Sequence, residues 1–79
     1  MGRTTIHTPE YHSLLAILRE LRLSAGLTQV ELSERVRRPQ SFISKVERGE
    51  RRLDIVELRQ LCQELGVKLT DVVRRWDKQ

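Results

Sequence analysis

Residues 35–52 carry seven basic side chains (Arg35, Arg37, Arg38, Lys45, Arg48, Arg51 and Arg52) against two acids (Glu47 and Glu50), a local net charge of +5. The whole 79-residue chain carries only +4, so the remainder is slightly acidic. An excess concentrated in this way suits a polyanion, whereas a scattered one would serve solubility; a solvated loop is the bland alternative. In the same stretch Gln40, Ser41, Ser44 and Lys45 fall on other faces than the apolar Ile43 and Val46 of a short helical pattern. Glutamine can pair bidentately with adenine N6 and N7, lysine can donate to guanine O6 and N7, and serine can reach either kind of base edge. A helix offering these side chains from its N-terminal half suits reading in a major groove. Without the neighbouring charge and turn, the same residues read as the polar face of a surface helix.

No other chemistry is provided for. His7 and His12, with Cys62 distant, are too few for a metal site, and there is no Ser/His/Asp or Cys/His constellation. Neither an enzyme nor a cofactor is expected, and a domain of this size cannot enclose a small-molecule pocket. The single Cys62 excludes an internal disulfide, fits a reducing cytosol, and lies on an apolar stripe as a small core residue. No apolar run approaches the ~20 residues that span a bilayer, and no signal peptide is visible, so no membrane partner is expected.

The elements that position these residues can be read from caps and periods. Val30, Leu32, Val36, Ile43 and Val46 keep helical spacing on either side of an interruption at Arg37-Arg38-Pro39. Thr28 and Glu31 form a T-x-x-E capping box that opens one helix. Pro39 fixes its own φ and pushes Arg38 out of the α region. A helix over residues 29–36 must stop before Arg38, and another can begin at Pro39 or Gln40 and run to Arg48. Ser33 is small where the two must approach closely. Two short helices joined by a three- to four-residue turn form a helix-turn-helix unit.

Around it, hydrophobic content of 38% with three aromatic residues predicts an aliphatic core, and good helix formers throughout predict an all-α fold. Residues 1–8 show no helical period and read as an N-terminal arm, which is free, paired as an edge strand, or laid on a partner. Residues 9–79 read as a single domain. Thr8-Pro9-Glu10 caps a first helix to about Ser24, with Leu14, Ile17, Leu18 and Leu21 as its stripe, Leu15 at its margin and Gly26 as its stop. On periodicity alone Arg22 is a solvated side chain. After Gly49 and a basic loop, Asp54 and Glu57 form a D-x-x-E cap for a helix buried through Ile55, Leu58, Leu61, Cys62 and Leu65, ended by Gly66. Leu69, Val72, Val73 and Trp76 stripe the last helix, a face broad enough for core packing or for a dimer seam.

The strings L-R-E-L-R-L-S-A-G-L-T-Q-V-E-L-S-E-R-V (from Leu18), Q-S-F-I-S-K-V-E-R-G-E-R (from Gln40) and L-C-Q-E-L-G-V (from Leu61) together resemble the Cro/phage-repressor type of helix-turn-helix, the XRE family. The likeness covers roughly residues 14–73. It implies a five-helix, lambda-repressor-like DNA-binding domain with the helix-turn-helix at helices 2 and 3. It implies that Gln29 bonds a DNA phosphate, that Gln40, Ser41, Ser44 and Lys45 contact bases, and that Phe42 covers the sugar-phosphate wall or packs beside it. Arg48, Arg51 and Arg52 match phosphate contacts, and Arg22 and Glu47 match an internal salt bridge, which replaces the solvated reading of Arg22. The chain departs from the family at the turn. Arg37 stands where glycine is usual, Arg38 where a buried aliphatic is usual, and Pro39 where a serine or threonine cap is usual. Both arginines then add charge beside the reading helix, within reach of phosphate. Lys68 stands where a capping serine is common.

The resulting expectation is a sequence-specific regulator of transcription in the bacterial or phage cytoplasm, associated with the nucleoid. Repression from a palindromic operator on double-stranded DNA, bound by a homodimer joined through Leu69, Val72, Val73 and Trp76, is the reading carried forward. The alternatives are an antitoxin with a toxin partner, a restriction–modification controller, or a protein-interaction module that has kept the fold without reading DNA. The basic loop opposes the last.

Overall fold

The computed structural model describes residues 8–79, so the arm expected over residues 1–8 lies, apart from Thr8, outside the described residues. Thr8 accepts the Tyr11 N–H on its hydroxyl, and with Pro9 in the first turn it opens α1, Pro9–Ser24. Thr28 and Glu31 make the reciprocal capping box of α2, Gln29–Arg35. The helices α3, Phe42–Glu47, α4, Ile55–Leu65, and α5, Leu69–Asp77, follow. Asp54 and Glu57 make the second capping box, at the start of α4. Among the described residues all regular structure is helical, as the all-α reading requires. Helices α2 and α3 pack on each other, α1 packs against α3 and α5, and α4 lies against α2 and α5.

The α2–α3 corner departs from the reading of its boundaries. Helix α2 ends at Arg35, with Val36 as cap, and α3 begins at Phe42 rather than at Pro39 or Gln40. Arg37 takes a left-handed φ of 59°, the conformation that Gly26, Gly49 and Gly66 hold after α1, α3 and α4. With it there, Arg37 N–H donates to Glu34 O at 3.0 Å and Arg38 N–H to Ser33 O at 2.9 Å. This 5→2 and 6→1 pairing is the Schellman closure, which satisfies the last carbonyls of α2. Pro39 O then accepts the Phe42 N–H at 2.9 Å, so residues 39–42 form a tight turn that occupies the first turn expected of α3.

Ser41 caps α3 without a side-chain bond. The missing acceptor is supplied across the corner by Ser33, which is fully buried. Its hydroxyl donates to Gln29 O at 2.9 Å and accepts the Ile43 N–H at 3.0 Å. Ser33 is therefore a hydrogen-bonded link between the two helices as well as a small spacer.

The core is aliphatic with two aromatics at its edge: Leu14, Leu15, Ile17 and Leu18 of α1, Leu32, Ile43, Val46, Leu58, Leu61, Cys62 and Val72, closed by Tyr11 and Phe42. Burial pushes the Cys62 thiol pKa up, which suits a packing residue. Ile55 was expected on the buried face of α4 but is 61% exposed beside an equally exposed Val56, because Leu58, Leu61 and Cys62 set that face. Val30 also lies in solvent.

Candidate nucleic-acid interface

The orientation of α3 is locked from beneath. Arg22, buried on α1, donates from Nε to Glu47 Oε2 at 2.7 Å and from Nη2 to Oε1 at 3.1 Å; its Nη1 donates to Leu27 O at 2.8 Å. Gln29 Nε2 donates to the same Glu47 Oε1 at 2.8 Å. One carboxylate at the end of α3 therefore holds α1 and the start of α2 together. A buried pair of this kind fixes geometry more than it adds stability. Gln29, expected on phosphate, spends one amide hydrogen on Glu47 and keeps the other available.

Above this base, Gln40, Ser41 and Lys45 are exposed at the start of α3 and in the turn before it. Ser44 is half-buried, and its hydroxyl donates to Ser41 O at 2.9 Å. Phe42, expected to cover the sugar-phosphate wall or to pack beside it, is 7% exposed and belongs to the core. With Pro39 and Gln40 in the turn, α3 starts at Phe42 and the ring lies inward, short of direct contact with a phosphate. The ring carries two cations instead, with the Arg38 guanidinium 5.0 Å and the Arg51 guanidinium 5.2 Å from its centroid.

Those two arginines share one anion. Arg51 grips Glu57 bidentately, Nη1 to Oε1 at 2.8 Å and Nη2 to Oε2 at 2.6 Å, and Arg38 Nη2 donates to Oε2 at 2.9 Å. The Arg51 hydrogen bond is the main reason that the Glu57 carboxyl is lowered to about 2. Burial opposes it, and the Asp54 N–H and the charges of Arg51 and Arg38 assist. Arg38, Pro39, Ser41, Phe42, Lys45 and Arg51 line a shallow depression next to the exposed face of α3. Arg48 is exposed and paired with Glu50 at 2.8 Å, Arg37 is exposed at the corner, and Arg52 stacks 5.3 Å over the Tyr11 ring.

The last helix divides its stripe. Val72, expected in a dimer seam, is 3% exposed and packs in the monomer core, because α5 must close the bundle over α1 and α4. Leu69 and Trp76 pack partly on that core, the indole Nε1 donating to Glu10 O at 2.8 Å, and Val73 alone of the four faces solvent.

Sequence reasoning missed the Ser33 hydroxyl link and the second role of Glu57. The D-x-x-E spacing accounts for Glu57 fully as a cap, so nothing local signals that two arginines also converge on it. Among the described residues no cluster of His, Cys, Asp or Glu could hold a metal ion, and no helix is long and apolar enough to cross a membrane.

The helix-turn-helix family model matches residues 18–72. Over 58 residues, 73% of this chain and 75% of the relative, the sequence is 38% identical to an HTH-type transcriptional regulator, y4dJ, of Sinorhizobium fredii. An XRE-family-like protein from Pseudomonas syringae pv. tomato superposes with a TM-score of 0.86 at 43% identity, covering 95% of this chain and 92% of that one. A variant of the restriction–modification controller protein C.Esp1396I superposes with a TM-score of 0.80 at 25% identity, covering 90% of each chain.

Proposed function

The chain belongs to the XRE-type helix-turn-helix family of transcriptional regulators, and on that premise we propose that it is a dimeric repressor reading a palindromic operator through the major groove. The observation that carries this reading is the locked α3: its underside is tied to α1 and α2 through Glu47 and Ser33, while Gln40, Ser41 and Lys45 stand free in solvent beside a cluster of guanidinium groups. A preorganised polar face flanked by cations suits base reading supported by phosphate contacts. In this scheme Gln40, Ser41, Ser44 and Lys45 meet base edges, Ser44 by turning its hydroxyl from Ser41 O. Gln29, Arg37, Arg38, Arg48, Arg51 and Arg52 meet phosphates, Arg48 by exchanging Glu50 for the backbone. Phe42 supports two of these arginines from below.

One such helix touches too few base pairs for genomic specificity, so two copies on half-sites about 34–36 Å apart complete the reader. Val73, with the exposed edges of Leu69 and Trp76, supplies the seam on α5. The site of action is the cytoplasm, at the nucleoid. Likeness to C.Esp1396I favours, as a second reading, a restriction–modification controller with the same reading head and different target genes. A toxin partner has no structural support.

Selection of bound sites from random duplex DNA tests the proposal. Enrichment of a two-fold symmetric sequence is the expected result. Recovery of unenriched DNA at low salt would overturn it and favour a protein-interaction role.

A further inference from the structure

At Glu57, in the first turn of α4, the α2–α3 corner arrives from 19 positions away through Arg38 and the nearby α3–α4 loop through Arg51, while the N-cap Asp54 N–H donates to Glu57 Oε1 at 3.0 Å. The Glu57 side chain is 9% exposed, while those of Arg38 and Arg51 are 35% and 37% exposed. The anion is thus hidden and the two cations face out. Both guanidinium groups also lie within 5.2 Å of the Phe42 centroid, so each is held by a carboxylate and by an aromatic ring.

The charges and donors left over are what matter. Two cations share one carboxylate, which leaves a net positive charge, and Lys45 adds another at the rim of the depression that Arg38, Ser41, Phe42 and Arg51 line. A guanidinium has five N–H donors; Arg38 gives one to Glu57, and Arg51 gives two to Glu57 and a third, from Nη1, to Arg52 O. The rest are free for another anion. Long side chains ordinarily lose rotamer freedom when they clamp a phosphate, and here that ordering is already in place before any ligand arrives. The Arg38 substitution at the corner gains a purpose as well, since an aliphatic side chain there could not reach Glu57.

We propose that Glu57 is a positioning residue for DNA binding: from the base of α4 it holds Arg38 and Arg51 over Phe42 as a paired clamp on a single backbone phosphate beside the reading helix. The proposal rests on the DNA-reading function above and specifies its phosphate contact. A purely structural Glu57 would tie the three segments together without affecting how phosphate is bound. A merely neutralising Glu57 would weaken DNA binding, so that its removal strengthens it.

The test uses the full chain and the operator recovered by selection, with affinity measured across a salt series. Glu57→Gln is the informative variant, because glutamine still serves at the third position of a capping box. Freeing two arginines should lower operator affinity roughly tenfold, in line with the ordering cost of two long side chains. That loss should vanish when Glu57→Gln is added to an Arg38→Ala/Arg51→Ala background. A second measurement leaves Glu57 untouched: single phosphates of the operator are replaced by neutral methylphosphonates. Wild-type protein should lose affinity at one phosphate per half-site to which both Arg38→Ala and Arg51→Ala are indifferent. Glu57→Gln binding as tightly as wild type or more tightly, a loss that persists without the two arginines, or two arginines mapping to different phosphates would each overturn the clamp. In all these outcomes wild-type protein still selects an operator; failure to select one sinks the DNA-reading function itself.

Discussion

Gln40 and Glu57 show how much a single side chain decides here. Gln40 is exposed in the turn leading into α3 and makes none of the bonds that hold the corner. Gln40→Ala should therefore leave stability unchanged while costing about 1–3 kcal/mol on the selected operator and little on random DNA. Binding isotherms on both DNAs separate the two effects, and an equal loss on each would remove Gln40 from base reading. Glu57 works in the opposite direction, from inside. Its folded pKa lies near 2, below the ordinary 4.5 of an unfolded chain. The stability it contributes is fully present above the unfolded value and is lost as pH falls toward about 2. Discounted for the solvent that reaches its arginine partners, the contribution is on the order of 2 kcal/mol. Urea unfolding should show wild type more stable than Glu57→Gln at neutral pH, with the gap closing in acid. A gap constant with pH would mean that the carboxylate charge is not what stabilises.

At the scale of elements, the corner between α2 and α3 is the least orthodox part of the chain. A left-handed arginine costs about 1–2 kcal/mol where glycine would cost little. Arg37 nonetheless closes the same Schellman motif that the three glycines close elsewhere. Arg37→Gly should raise the unfolding free energy measured in urea by about 0.5–1 kcal/mol, since the relieved strain exceeds the extra freedom of an unfolded glycine. If Arg37 also touches phosphate, the same variant lowers the salt slope of DNA binding by about one. A variant that gains no stability would show that the corner carries no strain. The proline reading of this corner was right about where α2 must stop and too early about where α3 begins. A favoured first-turn residue permits a helix start, whereas the Ser33 hydroxyl waiting at the Ile43 N–H selects one.

For the molecule as a whole, assembly is the open lever. Val72 is used up in the core, and Val73 stands 37% exposed on the outer side of α5. Val73→Asp should shift sedimentation toward monomer and weaken binding to a two-half-site operator far more than to a single half-site. A dimer that survives the substitution would move the seam elsewhere, the exposed Ile55 and Val56 at the start of α4 being the next surface to change.

The sequence by itself determined what depends on near neighbours. Capping boxes, stops after α1, α3 and α4, and the period of the apolar stripes act within about four residues, and the five helices follow from them. Family likeness supplied one distant pair, Arg22 with Glu47, which periodicity had left in solvent. Tertiary structure decided which candidates could serve together. Val72 and Val73 are neighbours on one stripe, and only the packing of α5 puts the first inside and the second outside, while Ile55 shares the stripe of Leu58 and Leu61 and stays in solvent. Phe42 is packed into the core by the same choice, with only its ring face left to carry Arg38 and Arg51. The convergence of Arg38, Arg51 and Glu57 lies beyond local reading, because Arg38 and Glu57 are 19 positions apart and the chain between them must first fold back through α3. The basic stretch was legible from composition as charge alone. Its geometry, two arginines held over a ring by a buried carboxylate, exists only once α4 has docked.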